Sequence, residues 1–296
     1  MKNKFVSSTL IAFWLNFSFS IVEFIFGTLF QSAALLADAV HDMGDALAIG
    51  LSYFLEKISK KKGNDRFSLG YDRFALLGAM VTSVILIVGS IFVLVETVPR
   101  LFNPPVVDKI GMLLLGVIAI VINAVGSFVL SEKSSENEEV LSLHFLEDIL
   151  GWIAVIIVAL VLQVTDWYFL DPLLSVAISI FILSKALPRF WKNFLVFMEA
   201  VPADIDLQQI ENEVETVEHV KKVVDLSVWS LDGRQHVATL HLWIDDAADE
   251  KSVRQEVVEL LHCHNIVEAT VQFDQNMEEH QEHCRKVILS EHRHQH

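Results

Sequence analysis

The sequence predicts an α-helical membrane protein of six transmembrane helices that continues into a small α+β domain. Three observations predict it. From Phe5 to about Leu187 the apolar residues gather into runs of the ~20 residues that a bilayer span needs. Basic residues in the breaks between runs cluster on one side. From Glu199 onward the chain becomes charged and alternates helical with strand-like patterning. At 296 residues and 53% hydrophobic, with a mean hydropathy of +0.46, the chain is too apolar for an ordinary soluble domain. It is also too polar to be wholly embedded.

The spans fall at about 7–30, 32–56, 73–98, 109–131, 140–164 and 168–187. Their breaks are chemically marked: "KISKKKGNDRFSLGYDR" before span three, "RLFNPPVVDK" before span four and "SEKSSENEE" before span five. Gln31 and the Thr165–Asp166 pair mark tight hairpins. Lys2 and Lys4 precede span one. No A-x-A cleavage site is evident and the run outlasts a signal core, so a retained first helix is expected. Lys57, Lys60, Lys61, Lys62, Arg66 and Arg73 flank the loop between spans two and three, and Lys185, Arg189 and Lys192 follow span six. With six spans all of these share one face, while the opposite face carries only Arg100 and Lys109. The positive-inside rule then puts both termini in the cytoplasm. Five spans would break that rule.

After residue 198 there are 21 acidic against eight basic side chains, so most of the net charge of −16 sits in the last third. Such a balance argues against nucleic acid as a partner. Here "DIDLQQIENEVETV" has helical spacing of Ile205, Ile210, Val214 and Val217. "VKKVVDLSVWSLDG" and "RQHVATLHLWIDD" alternate as strands around an Asp232–Gly233 turn. "EKSVRQEVVELLH" reads as a helix and "NIVEATVQFDQ" as a strand, giving α-β-β-α-β. The expected domains are 1–198 (transmembrane), 199–276 (cytoplasmic) and a His-rich polar tail at 277–296 with little order. Cys263 and Cys284 form no disulfide framework, as suits a reducing cytosol.

Histidine placement carries the chemistry. Of 12 histidines only His41, in span two, and His144, in span five, precede residue 200. Each has an aspartate four residues later, Asp45 and Asp148, hence on the same helix face. A charge at a bilayer centre costs roughly 2.5–3.5 kcal/mol on translocon scales, so a lipid-embedded helix needs a reason to carry one. A lone intramembrane histidine is most often a hydrogen bond between helices. Two in the same pattern point instead to a shared cation. Two imidazole nitrogens and two carboxylates suit tetrahedral Zn²⁺, whereas Mg²⁺ and Ca²⁺ prefer more oxygens. Asp38, one turn before Asp42, is placed either to orient His41 or to bind a backbone or neighbouring helix. Asp42, about 100° around from His41, is placed for packing or a water-lined path. Glu147 lies off the His144 face. Asn16, Glu23 and Asn123 rank below these as polar residues inside spans.

These residues resemble the cation diffusion facilitator family of metal efflux transporters, and most closely its zinc/cadmium/cobalt-resistance branch. "VEFIFGTLFQSAALLADAVHDMGDA" is similar to the family's span one-to-two segment, and "HFLED" sits where its second His-x-x-x-Asp sits. "ETVPRLFNPP", "DPLLSVAISIFIL" and "FMEAVPADID" resemble the end of span three, span six and the lead-in to the cytoplasmic domain. The likeness covers about residues 7 to 275. It implies a homodimer, six spans per protomer, a ferredoxin-like cytoplasmic domain and proton-coupled antiport in a bacterial plasma membrane. The implied transport site is His41, Asp45, His144 and Asp148. Zn²⁺ is then substrate and candidate regulator, with no prosthetic group, and Cd²⁺, Co²⁺ or Mn²⁺ are the alternative cargoes.

The chain departs from the family in three places. The loop "NDRFSLGYDR" has no histidine, so no metal site is expected there. The family's cytoplasmic metal site is matched only by His241 and Asp274, with His236, His262 and His264 as substitutes for the missing ligands. Histidines gather in the tail (His280, His283, His292, His294 and His296, beside Cys284) rather than between spans four and five. Two rivals to transport are an intramembrane metalloenzyme and a metal sensor without flux. The first lacks the His-Glu-x-x-His motif such an enzyme needs.

Overall fold

The computed structural model describes the backbone of residues 2–59, 61–68, 70–131 and 136–274. Side chains of 2–12, 52–53, 56, 126–131 and 136–147 lie outside the description. Six long helices come first: α1 (Lys2–Leu29), α2 (Ala33–Ser59), α3 (Arg73–Phe102), α4 (Lys109–Ser131), α5 (Glu136–Val164) and α6 (Leu170–Phe197). They stand where the apolar runs predict. α3 and α6 pass the length and hydropathy requirements of a membrane span in full, and Phe13–Leu29, Lys109–Val125 and Asp148–Val164 are shorter apolar stretches of α1, α4 and α5. α6 outruns its expected end at 187 by ten residues, passing through Pro188. The basic residues there end the hydropathy signal without ending the helix.

The helix junctions have local causes. Gln31 adopts a left-handed backbone (φ 56°), and the Ser32 amide reaches back to the Gly27 carbonyl at 3.0 Å, closing α1. Ser32 then caps α2, its Oγ accepting from the Leu35 amide at 3.2 Å. Pro104 and Pro105 follow α3. Asp108 caps α4 by accepting from the Ile110 and Gly111 amides at 3.1 and 3.0 Å. Lys109 Nζ donates to the Leu162 carbonyl at 2.7 Å, satisfying an end of α5.

α1, α2, α4 and α5 share one apolar core around Phe19, Leu35, Met112 and Trp152. Small residues set the close approaches. A Cβ on Gly116 of α4 would meet Ile156 of α5 at 2.7 Å, and one on Gly44 of α2 would collide with Leu86 of α3. α3 and α6 meet along small hydroxylated positions. Ser83, Ser90 and Thr97 recur every seven residues on α3, and Asp171, Ser175 and Ser179 every four on α6, all buried. Thr97 and Ser175 share a hydrogen bond of 3.2 Å.

The chain divides into two compact units at Trp191/Lys192, inside α6. The second unit holds α7 (Leu207–Val214), β1 (Val220–Ser230), β2 (His236–Ile244), α8 (Glu250–His262) and β3 (Ile266–Asp274). This is the α-β-β-α-β order the patterning predicts. The sheet runs β1-β2-β3, with β1 and β2 antiparallel and β2 and β3 parallel. Only three strands occur among the described residues. Gly233 (φ 88°) makes the hairpin turn, and Asp232 Oδ1 accepts from the Arg234 and Gln235 amides at 2.8 Å each. α7 and α8 pack one face of the sheet, burying Ile210, Val214, Leu240, Leu242, Val257 and Leu261.

Exposed carboxylates of this unit are held by partners. His236 holds the Asp204 carboxyl below its ordinary 3.8. Gln209 and then His264 do so for Glu213, below 4.5, and Lys221 does so for Asp245, below 3.8. A carboxyl with a lowered folded pKa stabilises above its unfolded value and loses that stability as pH falls through its folded one. The unit is therefore expected to weaken progressively below pH 4.5, starting at Glu213. Hydrogen exchange of β2 amides in the intact protein, corrected for intrinsic rate, checks this. Protection that stays level from pH 5 down to about 3 would show that the contacts do not stabilise.

Candidate functional site

The four core helices are not apolar throughout. Across their middle they bury Asn16, Ser20 and Glu23 of α1, Asp38 and Asp42 of α2, Asn123 of α4 and Asp148 of α5. Asp42 stands nine positions past the start of α2, or about 13 Å along its axis. Glu23 has no exposed surface, and Asp42 and Asp148 expose only 3% and 5%.

On α2, His41 and Asp45 meet as helix spacing requires, with Nδ1 3.3 Å from Oδ2. Both side chains are only partly buried, but the two atoms that meet are themselves shielded from solvent. Asp38 points toward α5: a Cβ on Gly151 would stand 3.8 Å from its Oδ1. Gly151 lies one turn beyond Asp148, so α2 and α5 approach at the level where the sequence puts both His-x-x-x-Asp pairs. Asp38 is also within electrostatic reach of His41 and Asp45.

Asp42 turns to α1. Its carboxyl is close enough to Glu23 for their charges to interact, and the charge of Asp148 acts on both. Glu23 Oε1 and Oε2, Asp38 Oδ2 and Asp42 Oδ1 have no hydrogen-bond donor among the described residues. Several buried carboxylates with idle lone pairs are costly unless protons or a cation answer them. The arrangement is therefore suited to bind and exchange positive charge. Among the described residues, no three ligand-type side chains are gathered tightly enough to hold an ion.

Of the sequence-derived set, His41 and Asp45 are adjacent and Asp148 joins the same buried layer. His144 and Glu147 lie in α5, but their side chains are outside the described residues. Asn123 is buried and donates to the Ala119 carbonyl one turn back at 3.1 Å, a bond within its own helix. Glu23, ranked low from sequence, is central. Its signal was its position alone in an apolar run, but its partner sits on another helix, where periodicity cannot show it.

In the cytoplasmic unit, His241 Nδ1 lies 3.3 Å from Asp274 Oδ2. Gln272 Nε2 donates to Asp274 Oδ1 at 3.3 Å, and Asp225 stands opposite His241 across the β1–β2 pair. The expectation that His236 joins this pair is corrected. His236 is five residues before His241 on β2, so the two point to opposite faces. Its Nε2 contacts Asp204 at 3.2 Å instead. His264 is likewise engaged, with Glu213 at 2.7 Å. The tail histidines lie outside the described residues.

Residues 9–198 match the family model of the cation efflux transmembrane domain, and residues 202–276 match that of the cation efflux protein cytoplasmic domain. The chain belongs to the cation diffusion facilitator family, in its zinc/cadmium/cobalt branch. It is an integral membrane protein for the efflux of divalent metal cations, not an enzyme. Among its relatives is the zinc transporter ZitB of Yersinia pestis, 32% identical over 90% of this chain and 86% of that one. The metal cation efflux system protein CzcD of Cupriavidus metallidurans is 30% identical over 89% and 85%. A cadmium, cobalt and zinc/H(+)-K(+) antiporter of Bacillus subtilis is 27% identical over 92% and 89%.

Proposed function

We propose that this cation diffusion facilitator is a Zn²⁺/H⁺ antiporter that exports zinc from the cytosol through His41, Asp45, His144 and Asp148. It works as a homodimer in a bacterial plasma membrane, each protomer crossing six times with both termini and a ferredoxin-like domain in the cytoplasm. The observation that carries the reading is the His41–Asp45 contact of 3.3 Å on α2, beside a buried carboxylate layer that includes Asp148 of α5. The zinc named for the relatives from Yersinia and Bacillus agrees with an imidazole-containing ligand set, since imidazole suits Zn²⁺ and carboxylate or water suits Mn²⁺.

The chemistry follows from charge. Two carboxylates balance a divalent ion, and two neutral imidazoles complete a tetrahedral shell. Neutral imidazole and ionised carboxylate are both deprotonated forms, so loading Zn²⁺ releases protons and acid displaces the metal. Imidazole changes charge in the physiological pH range. An inward proton gradient thus favours metal release outside and reloading inside as the helices alternate access. Asp38, Asp42, Glu147 and Asn123 are the candidates for orienting the site's ligands or serving its path. In the cytoplasmic domain, His241 and Asp274 are the candidate regulatory pair.

Reconstituted into liposomes, the protein is expected to move protons against Zn²⁺, with proton flux vanishing when Zn²⁺ is omitted. Zn²⁺ uptake that ignores an imposed pH gradient would rule out antiport. Zinc binding without flux would make the protein a sensor.

A further inference from the structure

The most completely satisfied buried charge lies away from the polar layer, at the Ser32 end of α2. Asp171, near the start of α6, has no exposed surface. Its Oδ1 accepts from Ser32 Oγ at 2.5 Å and from the Ala34 amide at 3.4 Å, and its Oδ2 accepts from the Ala33 amide at 2.7 Å. Ser32 Oγ accepts in turn from the Leu35 amide. The first amides of α2, which no intrahelical carbonyl can serve, are thus served by a carboxylate from another helix. One turn along α6, Ser175 meets Thr97 of α3, and Arg100 of α3 is within electrostatic reach of Asp171. Three helices are joined here through groups fully removed from solvent.

A local cap would have sufficed to start α2. Ser32 is itself a favoured capping residue, as is aspartate at that position. Burying a carboxylate from α6 adds what a local cap cannot: it fixes α2 along its axis and about it. The polar face is sensitive to that placement, since each residue turns the helix by about 100° and advances it by about 1.5 Å. His41 and Asp45 lie nine and thirteen positions beyond Ser32 on the same continuous helix.

We propose that Asp171 is a positioning residue of the transport site, clamping the Ser32 end of α2 to α6 so that α2 presents His41 and Asp45 to α5 in the metal-binding register. This rests on the transport reading above. Asp171 does not touch the ion; it acts through α2. Its loss therefore alters affinity and metal preference rather than merely lowering the amount of folded protein.

The test uses the full chain, with equilibrium Zn²⁺ and Cd²⁺ binding in detergent and flux in liposomes. Asp171→Ala is expected to weaken Zn²⁺ binding about tenfold, the scale seen when a metal ligand loses its orienting partner. It should also narrow the Zn²⁺/Cd²⁺ preference and speed exchange of the Ala33 and Ala34 amides. Asp171→Asn keeps one acceptor oxygen and should recover most of the affinity. Adding Ser32→Asp to Asp171→Ala restores a local cap, and so amide protection, but no tie to α6, and affinity should stay weak. The proposal is overturned if Asp171→Ala binds both metals as the parent does, or if Ser32→Asp restores affinity together with protection. Should Asp171→Ala not fold, Asp171→Ser takes its place, a side chain too short to hold Ser32 and both amides; the same weakening is expected of it, and parental affinity and preference overturn the proposal. A parent protein that binds Zn²⁺ without transporting it would defeat the transport reading and leave the clamp standing.

Discussion

Asp148→Ala is expected to lower Zn²⁺ flux by about 100-fold or more, beyond the 10–100-fold loss typical of a group that only orients a ligand. The effect is electrostatic. Asp148 exposes 5% of its surface, in a layer where Glu23 and Asp42 are also buried. With both aspartates ionised, a divalent ion at His41, Asp45, His144 and Asp148 is neutralised. With one removed, the ion keeps a unit charge in a poorly hydrated site, and an uncompensated buried charge is costly. Asp148→Asn separates charge from shape: it keeps an oxygen ligand and the volume but not the charge, so it should fail nearly as badly. Flux in liposomes and Zn²⁺ binding in detergent measure the two losses. If Asp148→Ala keeps parental flux and affinity, the site lies elsewhere. If Asp148→Asn retains both while Asp148→Ala loses them, an oxygen ligand matters there and its charge does not.

The reach of the sequence can be judged residue by residue. The pairing of His41 with Asp45 was legible because it is local: four residues on one helix fix the separation whatever the rest of the chain does. The turn at Asp232–Gly233 is local in the same sense. What escaped is what two distant segments do to each other. Glu23 meets Asp42 across two helices, and Asp171 reaches Ser32 across 139 positions. Each appeared in the sequence only as a carboxylate near or inside an apolar run, with its partner unspecified. Strand parity depends on the β2 register, which composition does not show: five residues from His241 put His236 on the opposite face. The end of α6 was misjudged because hydropathy tracks lipid contact, whereas helicity tracks backbone bonding, which continues past Lys185 and Arg189 to Phe197.

The second large effect concerns metal choice. His41→Asp is expected to lower the Zn²⁺ over Mn²⁺ preference by about tenfold, equivalent to about 1.4 kcal/mol, and to admit Cd²⁺ more readily. Replacing an imidazole by a carboxylate removes the ligand that favours Zn²⁺ and adds the type that Mn²⁺ accepts. It also adds a negative charge beside Asp45, one turn away at the position where His41 now stands at 3.3 Å. Asp38 is buried nearby with one oxygen lacking a donor among the described residues, so the extra charge raises the cost of the empty site. Metal competes with protons for the ligands of this site. Two readouts therefore move together. Selectivity shifts toward oxygen-preferring ions, and the pH dependence of Zn²⁺ flux changes shape as a carboxylate replaces an imidazole. His41→Gln, which adds no charge, should weaken Zn²⁺ without admitting Mn²⁺. Competition flux with mixed metals over a pH series decides the matter. An unchanged Zn²⁺/Mn²⁺ ratio in the aspartate variant would remove His41 from the coordinating set and leave it as an ion-pair neighbour of Asp45.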